Sequence, residues 1–316
     1  MNKITHVDAT SVDDAVAKLA GGSAAPIAGG TDLITTLKGM CTPTPPAKLV
    51  NLKTISGLKY IKEEGGMLKI GALTTLTEIA KSSVVNSKYT VLAQAAKAVG
   101  SPELRNAGTI AGNICQKPRC PYFRNEHNAF NCLRKNSSGL CYALTDYNVK
   151  HSIFGAAGGC VDGCPSDVAP ALVALKAKIK TSKQTIDAAD FFAVNGENMT
   201  VLDADEIVTE IQVPELASGT KSAYKKFAFR KSIDFPLVSC AAVISASDAS
   251  IVLGGVYPIP RRATAAETAI KGKTIDDANA TAAGDEAAKG SAALGQNKYK
   301  IQIAKVMTKR AILACK

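Results

Sequence analysis

Tryptophan is absent and aromatic residues make up only 5% of the chain, against 25 glycines. Large aromatic binding platforms are therefore not expected. No apolar run approaches the roughly 20 residues that span a bilayer, so no membrane span is expected. The first residues, Met1 to Asp8, hold no apolar core of a secretory signal, and a cytoplasmic protein is expected. No dense basic run, helix-turn-helix or RNA-binding motif accompanies the formal charge of +11, so no nucleic-acid partner is expected. A lysine-rich surface, an acidic protein partner or a bound anionic cofactor would each account for that charge. No Ser-His-Asp arrangement, paired-carboxylate site or His-Glu-x-x-His motif stands out. The chain offers no catalytic residue of its own for an organic substrate.

What is present describes a folded α+β protein. Hydrophobic residues are 46% and charged residues 21% of 316, which at roughly 150 residues per domain suggests two domains or one large one with additions. Residues 1–57 alternate short strands with helical patterns. Ser11 caps a helix that sets Val12, Val16 and Leu19 on one face. Residues 58–220 form a second unit. It opens with a hairpin whose strands flank Gly65-Gly66. Residues 221–316 read as a separate, smaller α+β domain, with strands near 238–244 and 251–256 followed by helices. Residues 114–165 show little periodicity of either kind, and a structureless stretch of that length is usually functional.

Two segments carry glycine patterns suited to anions. The first is Pro26-Ile27-Ala28-Gly29-Gly30-Thr31-Asp32-Leu33, in which two glycines separate a strand from a short helix. Glycine admits close backbone approach, and consecutive N–H groups beside a helix start attract phosphate. A tight strand-to-helix turn would explain the segment equally well. It is neither a P-loop nor a Gly-x-Gly-x-x-Gly fingerprint. The second segment is Arg105-Asn106-Ala107-Gly108-Thr109-Ile110-Ala111-Gly112-Asn113, with Thr109 and Asn113 as side-chain hydrogen-bonding groups. Two such loops could clasp a dinucleotide, and Asp167 could accept from a ribityl or ribose hydroxyl.

Six of the nine cysteines, Cys115, Cys120, Cys132, Cys141, Cys160 and Cys164, fall in the 114–165 window. In a reducing compartment this argues for metal ligation over disulfides. Cys115-x4-Cys120 and Cys160-x3-Cys164 are close to structural-zinc spacing, although zinc on those pairs leaves Cys132 and Cys141 unused. His127 and His151 read as surface or loop-packing residues.

Together, the two glycine segments and Ser166-Asp167 resemble the FAD-binding medium subunit of the molybdenum hydroxylases, the xanthine dehydrogenase, carbon monoxide dehydrogenase and 4-hydroxybenzoyl-CoA reductase family. The resemblance runs through nearly the whole chain, including Tyr224-Lys225-Lys226. It departs at Ala111, where the family commonly has a second adjacent glycine. The fold it implies is a two-part FAD-binding domain of the PCMH, vanillyl-alcohol-oxidase-like type, followed by a smaller C-terminal α+β domain. It implies that residues 26–33 and Ala107, Thr109, Ala111, Gly112 and Asn113 hold the FAD diphosphate. It sets Asp167 near the ribityl chain, and Ile207 and Lys226 near the flavin ring.

The resemblance also gives the cysteine window a meaning. The 4-hydroxybenzoyl-CoA reductase branch, and some bacterial aldehyde oxidoreductases, carry an insertion here that binds a [4Fe–4S] cluster. The matching positions are Cys120, Cys132, Cys141 and Cys160, with Cys115 or Cys164 as possible replacements for one of them. Metal is expected to supply order that a small core in this loop cannot. The implied role is electron transfer in a heteromer, between the [2Fe–2S] clusters of a small subunit and an external carrier such as NAD or a ferredoxin. A large subunit with the molybdenum cofactor would handle the organic substrate. The alternatives are a zinc-ordered, non-enzymatic interaction module and an autonomous flavin oxidase.

Overall fold

The computed structural model describes residues 3–316. Its first sheet has three parallel strands, Thr5–Asp8, Lys48–Asn51 and Ala24–Ile27, with Lys48–Asn51 in the centre. The helix Val12–Leu19 starts at Ser11, whose side chain accepts from the amide of Asp14. Its Ala15 and Leu19 are buried with Val50, Leu52, Ile55, Leu58, Leu73 and Ile207. Ala24–Ile27 leads through Gly29-Gly30 into the helix Leu33–Lys38. The first glycine segment thus lies beyond the carboxyl end of a parallel strand, where open sheets commonly bind ligands.

The second sheet is antiparallel and five-stranded, in the order Ile61–Glu64, Met67–Gly71, Val208–Pro214, Lys178–Thr181, Thr185–Asp187. Gly65 and Gly66 turn the first hairpin with φ of +61° and +68°, as the sequence predicts. The helices Thr90–Ala98 and Val168–Ala174 share its core with Leu68, Ile70, Ile79, Ile211 and Val213. The second glycine segment is more regular than expected. It is divided between the helices Pro102–Ala107 and Ile110–Ile114, which meet at Gly108-Thr109.

The third sheet, Lys221–Phe227, Val238–Ile244, Ala249–Gly254 and Arg261–Arg262, is antiparallel. Strand residues alternate between faces. Ala241 and Val243 therefore enter the core of the second unit, while Val238, Cys240, Ala242 and Ile244 meet the helices Thr264–Ile270, Asp277–Ala287 and Tyr299–Leu313. Covering on both faces explains why every residue of Val238–Ile244 is buried. Cys240 and Cys315 belong to this interior, and burial pushes both thiols up to about 12.

Residues 114–165 hold only two single-turn helices, Glu126–Asn128 and Tyr142–Leu144. Beside the metal expected to order it, this loop has a small core of its own. Tyr122, Phe123, Ala143 and Val161 are buried there against Phe130 and Tyr142. Tyr122 meets Phe130 edge-on at 5.1 Å and stacks on Tyr142 at 5.7 Å. The loop is also fastened to its surroundings. Arg134 donates to the carbonyls of Gly196 and Asn198 in the hairpin Phe192–Thr200, and Lys117 pairs with Glu197 of the same turn. Lys300 is 0% exposed and donates to the carbonyls of Lys150, His151 and Gly255 at 2.7–2.8 Å.

Candidate functional site

The two glycine segments are in contact. A Cβ on Gly29 would lie 2.1 Å from the carbonyl oxygen of Ala107, so only glycine allows this approach. Gly30 has φ of +69°. The loop amides of Gly29, Gly30, Thr31 and Asp32 make no hydrogen bond to any acceptor of the described chain. Backbone donors without partners in a half-buried loop call for one from outside, and a run of them is a seat for an anion. The fit to a diphosphate therefore rests on the first segment.

The second segment offers less than its sequence suggests. The Ala111 amide, expected to face phosphate, donates instead to the carbonyl of Ala72. Thr109 caps its helix by accepting from the amide of Gly112. Asn113 Oδ1 accepts from Ser166 Oγ at 2.6 Å. The Thr109 hydroxyl hydrogen and the Asn113 amide hydrogens remain unmatched within the chain, so these two residues can still donate to a ligand.

Two further assigned residues are deeply buried. Ile207, assigned beside the flavin ring, is 2% exposed in the core beneath the first sheet and presents almost no surface to a ligand. Asp167, assigned to the ribityl chain, is also 2% exposed. Its two oxygens accept from Tyr224 at 2.6 Å and from Lys226 at 2.8 Å. Lys226 also donates to the carbonyl of Ala98 at 2.9 Å. Burial raises the Asp167 carboxyl, and Lys226 and Tyr224 oppose the rise. The pair ties the third sheet to the helix Val168–Ala174, and Lys226 is far from being a free surface lysine.

Asp32 turns away from its own helix, for which it makes no side-chain cap. Its carboxylate meets the insertion. It accepts from Arg124 at 2.7 Å and from the Lys117 amide at 2.9 Å, and it forms an ion pair with Arg119 at 2.7 Å. Burial pushes the Arg119 guanidinium down to about 10, and Asp32 opposes the shift. Arg119 directly precedes Cys120, and the amides of both donate to Asp162 Oδ2. One carboxylate thus binds the glycine loop to the cysteine window, and another shapes the window itself.

Cys120, Cys132, Cys141 and Cys160 line one pocket, with Phe123, Arg134, His151 and Asp162 among its other walls. Its free interior is small, about 10 Å³. Burial raises the thiols of Cys120 and Cys132 and pushes Cys160 up to about 11. The Asp162 amide points at Cys160 Sγ, 3.5 Å away. Cys115 and Cys164 do not line the pocket. They pack against the large core, and burial pushes each thiol up to about 12. Among the described residues, no three His, Cys, Asp or Glu groups converge closely enough to hold a single metal ion.

His151 was expected as a surface or loop-packing residue. It is 1% exposed, with Nε2 at 3.2 Å from Cys120 Sγ and no partner for Nδ1. Burial lowers its pKa, which favours the neutral ring. His127 is exposed, with φ of +56°.

Residues 2–216 match the family described as the FAD binding domain in molybdopterin dehydrogenase, and residues 222–315 match the CO dehydrogenase flavoprotein C-terminal domain. The chain belongs to the FAD-binding subunits of the molybdopterin dehydrogenases. Among curated relatives, it is 33% identical to the aldehyde oxidoreductase FAD-binding subunit PaoB of Escherichia coli over 250 residues, covering 76% of this chain and 77% of the relative. It is 29% identical to the carbon monoxide dehydrogenase medium chain of Hydrogenophaga pseudoflava, covering 96% of this chain and 94% of the relative. A solved carbon monoxide dehydrogenase structure from H. pseudoflava superposes with a TM-score of 0.76 at 28% identity, covering 99% of this chain and 97% of that one. This FAD-binding subunit is therefore part of an oxidoreductase. No helix among the described residues is long and apolar enough to cross a membrane.

Proposed function

We propose that this FAD-binding subunit also carries a [4Fe–4S] cluster on Cys120, Cys132, Cys141 and Cys160, as in the 4-hydroxybenzoyl-CoA reductase-like branch. The observation that supports it is the gathering of these four cysteines, from four separate stretches of the insertion, around one pocket. Four thiolates are the ligand set of a cubane. Zinc on the pairs Cys115–Cys120 and Cys160–Cys164 would need two thiols that face the large core instead. All nine cysteines are unbridged, in keeping with a reducing compartment such as the cytoplasm.

Bound FAD supplies chemistry that links single-electron and paired-electron transfer. The chain's own part is to seat and orient. The amides of Gly29 to Asp32 hold the diphosphate, Thr109 and Asn113 donate beside it, and Asp32 joins this seat to the loop that holds the cluster. The subunit works in a heteromer, with a large subunit carrying the molybdenum cofactor and the organic substrate, and a small subunit carrying two [2Fe–2S] clusters. Electrons pass between those clusters and NAD or a ferredoxin-like carrier. Division of labour of this kind is in line with relatives named as subunits and medium chains. Co-purification without oxygen tests it. The expected complex contains three kinds of chain, with FAD and four irons assignable to this one. A lone chain that oxidises an organic substrate would contradict it.

A further inference from the structure

His151 is unusual in how little freedom it has. Its amide donates to the Asn148 carbonyl at 3.0 Å, and its own carbonyl accepts from Asn297 at 3.1 Å and Lys300 at 2.7 Å. The neighbouring Ser152 carbonyl accepts from Asn297 at 2.8 Å, and the Ser152 amide donates to Val161. Asn148 is itself held by Gln296, each side chain bonding the other's backbone. Asn297 and Lys300 are both 0% exposed. A rigid stretch of the C-terminal domain therefore fixes a histidine backbone inside the insertion.

The imidazole faces Cys120, and Asp162, Lys300 and the Asn148 backbone also act on the ring. Nε2 lies 3.2 Å from Cys120 Sγ, and Nδ1 is buried without a partner. The ring of Tyr122 lies 6.4 Å away, on the side of the aromatic core. If packing alone selected this residue, an apolar side chain would serve without stranding a buried nitrogen. A cluster-bound Cys120 is a thiolate and can only accept. A ring nitrogen facing it at 3.2 Å therefore serves as the donor, Nε2–H to Sγ.

We propose that His151 is a positioning residue for the cluster, donating Nε2–H to the sulfur of Cys120 and thereby raising the reduction potential of the [4Fe–4S] centre. A hydrogen bond to a ligand sulfur withdraws electron density and favours the reduced, more negative form. Asn297 and Lys300 aim the ring through the backbone, so the C-terminal domain helps to set the potential of a centre held by the insertion. The inference rests on the cluster reading above.

The test uses the intact complex purified without oxygen, with redox titration of the cubane's own electron paramagnetic resonance signal. His151→Leu removes the donor and is expected to shift the midpoint to lower potential with iron content unchanged. His151→Gln carries an N–H at nearly the same reach and is expected to restore most of the wild-type value. An unchanged midpoint in His151→Leu with full iron overturns the proposal. So does a cubane lost from both variants, which would make His151 an iron ligand or a purely structural residue. A measurement on the unmutated complex does not depend on variant folding. With nitrogen-15 histidine, double resonance on the cubane signal should show one weak nitrogen coupling. No coupling, or the strong coupling of a directly bonded nitrogen, overturns it. If the unmutated complex has no cubane signal at all, the cluster reading fails before His151 is tested.

Discussion

Arg124 Nη2 and Asp32 Oδ1 are 2.7 Å apart although 92 residues separate them in sequence. Their side chains are 15% and 18% exposed, so solvent screens the pair only in part. Arg124 also donates to Thr36 and to the carbonyls of Pro118 and Lys117. The pair joins the first glycine loop to the cysteine loop. Arg124→Gln should cost about 1.5–3 kcal/mol, the usual range for a lost hydrogen bond to a charged group. It should loosen both sites together, so flavin and iron per chain should fall in parallel. Flavin loss with iron fully retained would show the two sites to be independent.

Gly29 tests the contact between the glycine segments. The carbonyl of Ala107 cannot yield without moving the helix Pro102–Ala107, because a Cβ would lie 2.1 Å away. Gly29→Ala should therefore force the segments apart, at about 1–3 kcal/mol for an overpacked contact. Flavin fluorescence after gel filtration should show free FAD, while circular dichroism stays close to that of the unmutated chain. Gly272→Ala, at a C-terminal turn with φ of +70° where a Cβ meets nothing within 4 Å, adds backbone strain without touching either segment and should leave flavin content unchanged.

How much of this is readable from sequence depends on where a residue's partners lie. The Gly65-Gly66 hairpin, the Ser11 cap and the strand Val238–Ile244 follow from neighbours in the chain. The helices Ser83–Lys88, Pro102–Ala107 and Ile110–Ile114 have only five or six residues each, too short to display a helical period. Ser101 before Pro102 was a legible start signal for one of them. The spacing of the cysteines suggests zinc pairs, whereas the gathering of four of them around one pocket depends on the fold of the whole loop.

The rest depends on partners far away in sequence. Asp32 reads as a helix cap and is instead an acceptor for the insertion. Lys300 sits in a helix where lysine suggests solvent, yet its acceptors are backbone carbonyls that no sequence pattern marks. Asp167 and Lys226 were each sent to the flavin, and the fold pairs them with one another. His151 shows no sequence signal beyond its place between two of the cysteines.

Lys300 provides a stability test that is separate from redox chemistry. Burial pushes the Lys300 amine down to about 7, and Lys300→Met leaves the carbonyls of residues 150, 151 and 255 without their donor. Unsatisfied buried groups cost about 1–3 kcal/mol each, so a loss of about 3 kcal/mol or more is expected in denaturant unfolding. Exchange protection should fall first at residues 148–152. A variant as stable as the unmutated chain would mean that those carbonyls find other donors.

Removing iron should open only part of the insertion. The aromatic core and the Arg134 and Lys300 anchors persist without it, while Asn136 to Ser138 form an exposed turn between Cys132 and Cys141. Limited proteolysis of the chelated complex should cut first between Cys132 and Cys141. Cleavage spread evenly over 114–165 would show that metal, and not the aromatic core, orders the loop.

The central claim is that Cys120, Cys132, Cys141 and Cys160 hold the cluster and that Cys164 does not. The measurement is iron and acid-labile sulfide per chain in Cys132→Ser and Cys164→Ser complexes, prepared side by side without oxygen. The pocket predicts loss of four irons and the broad visible absorption in Cys132→Ser, and their retention in Cys164→Ser, whose sulfur is 3% exposed within the large core. Iron lost from Cys164→Ser and kept in Cys132→Ser would contradict the account.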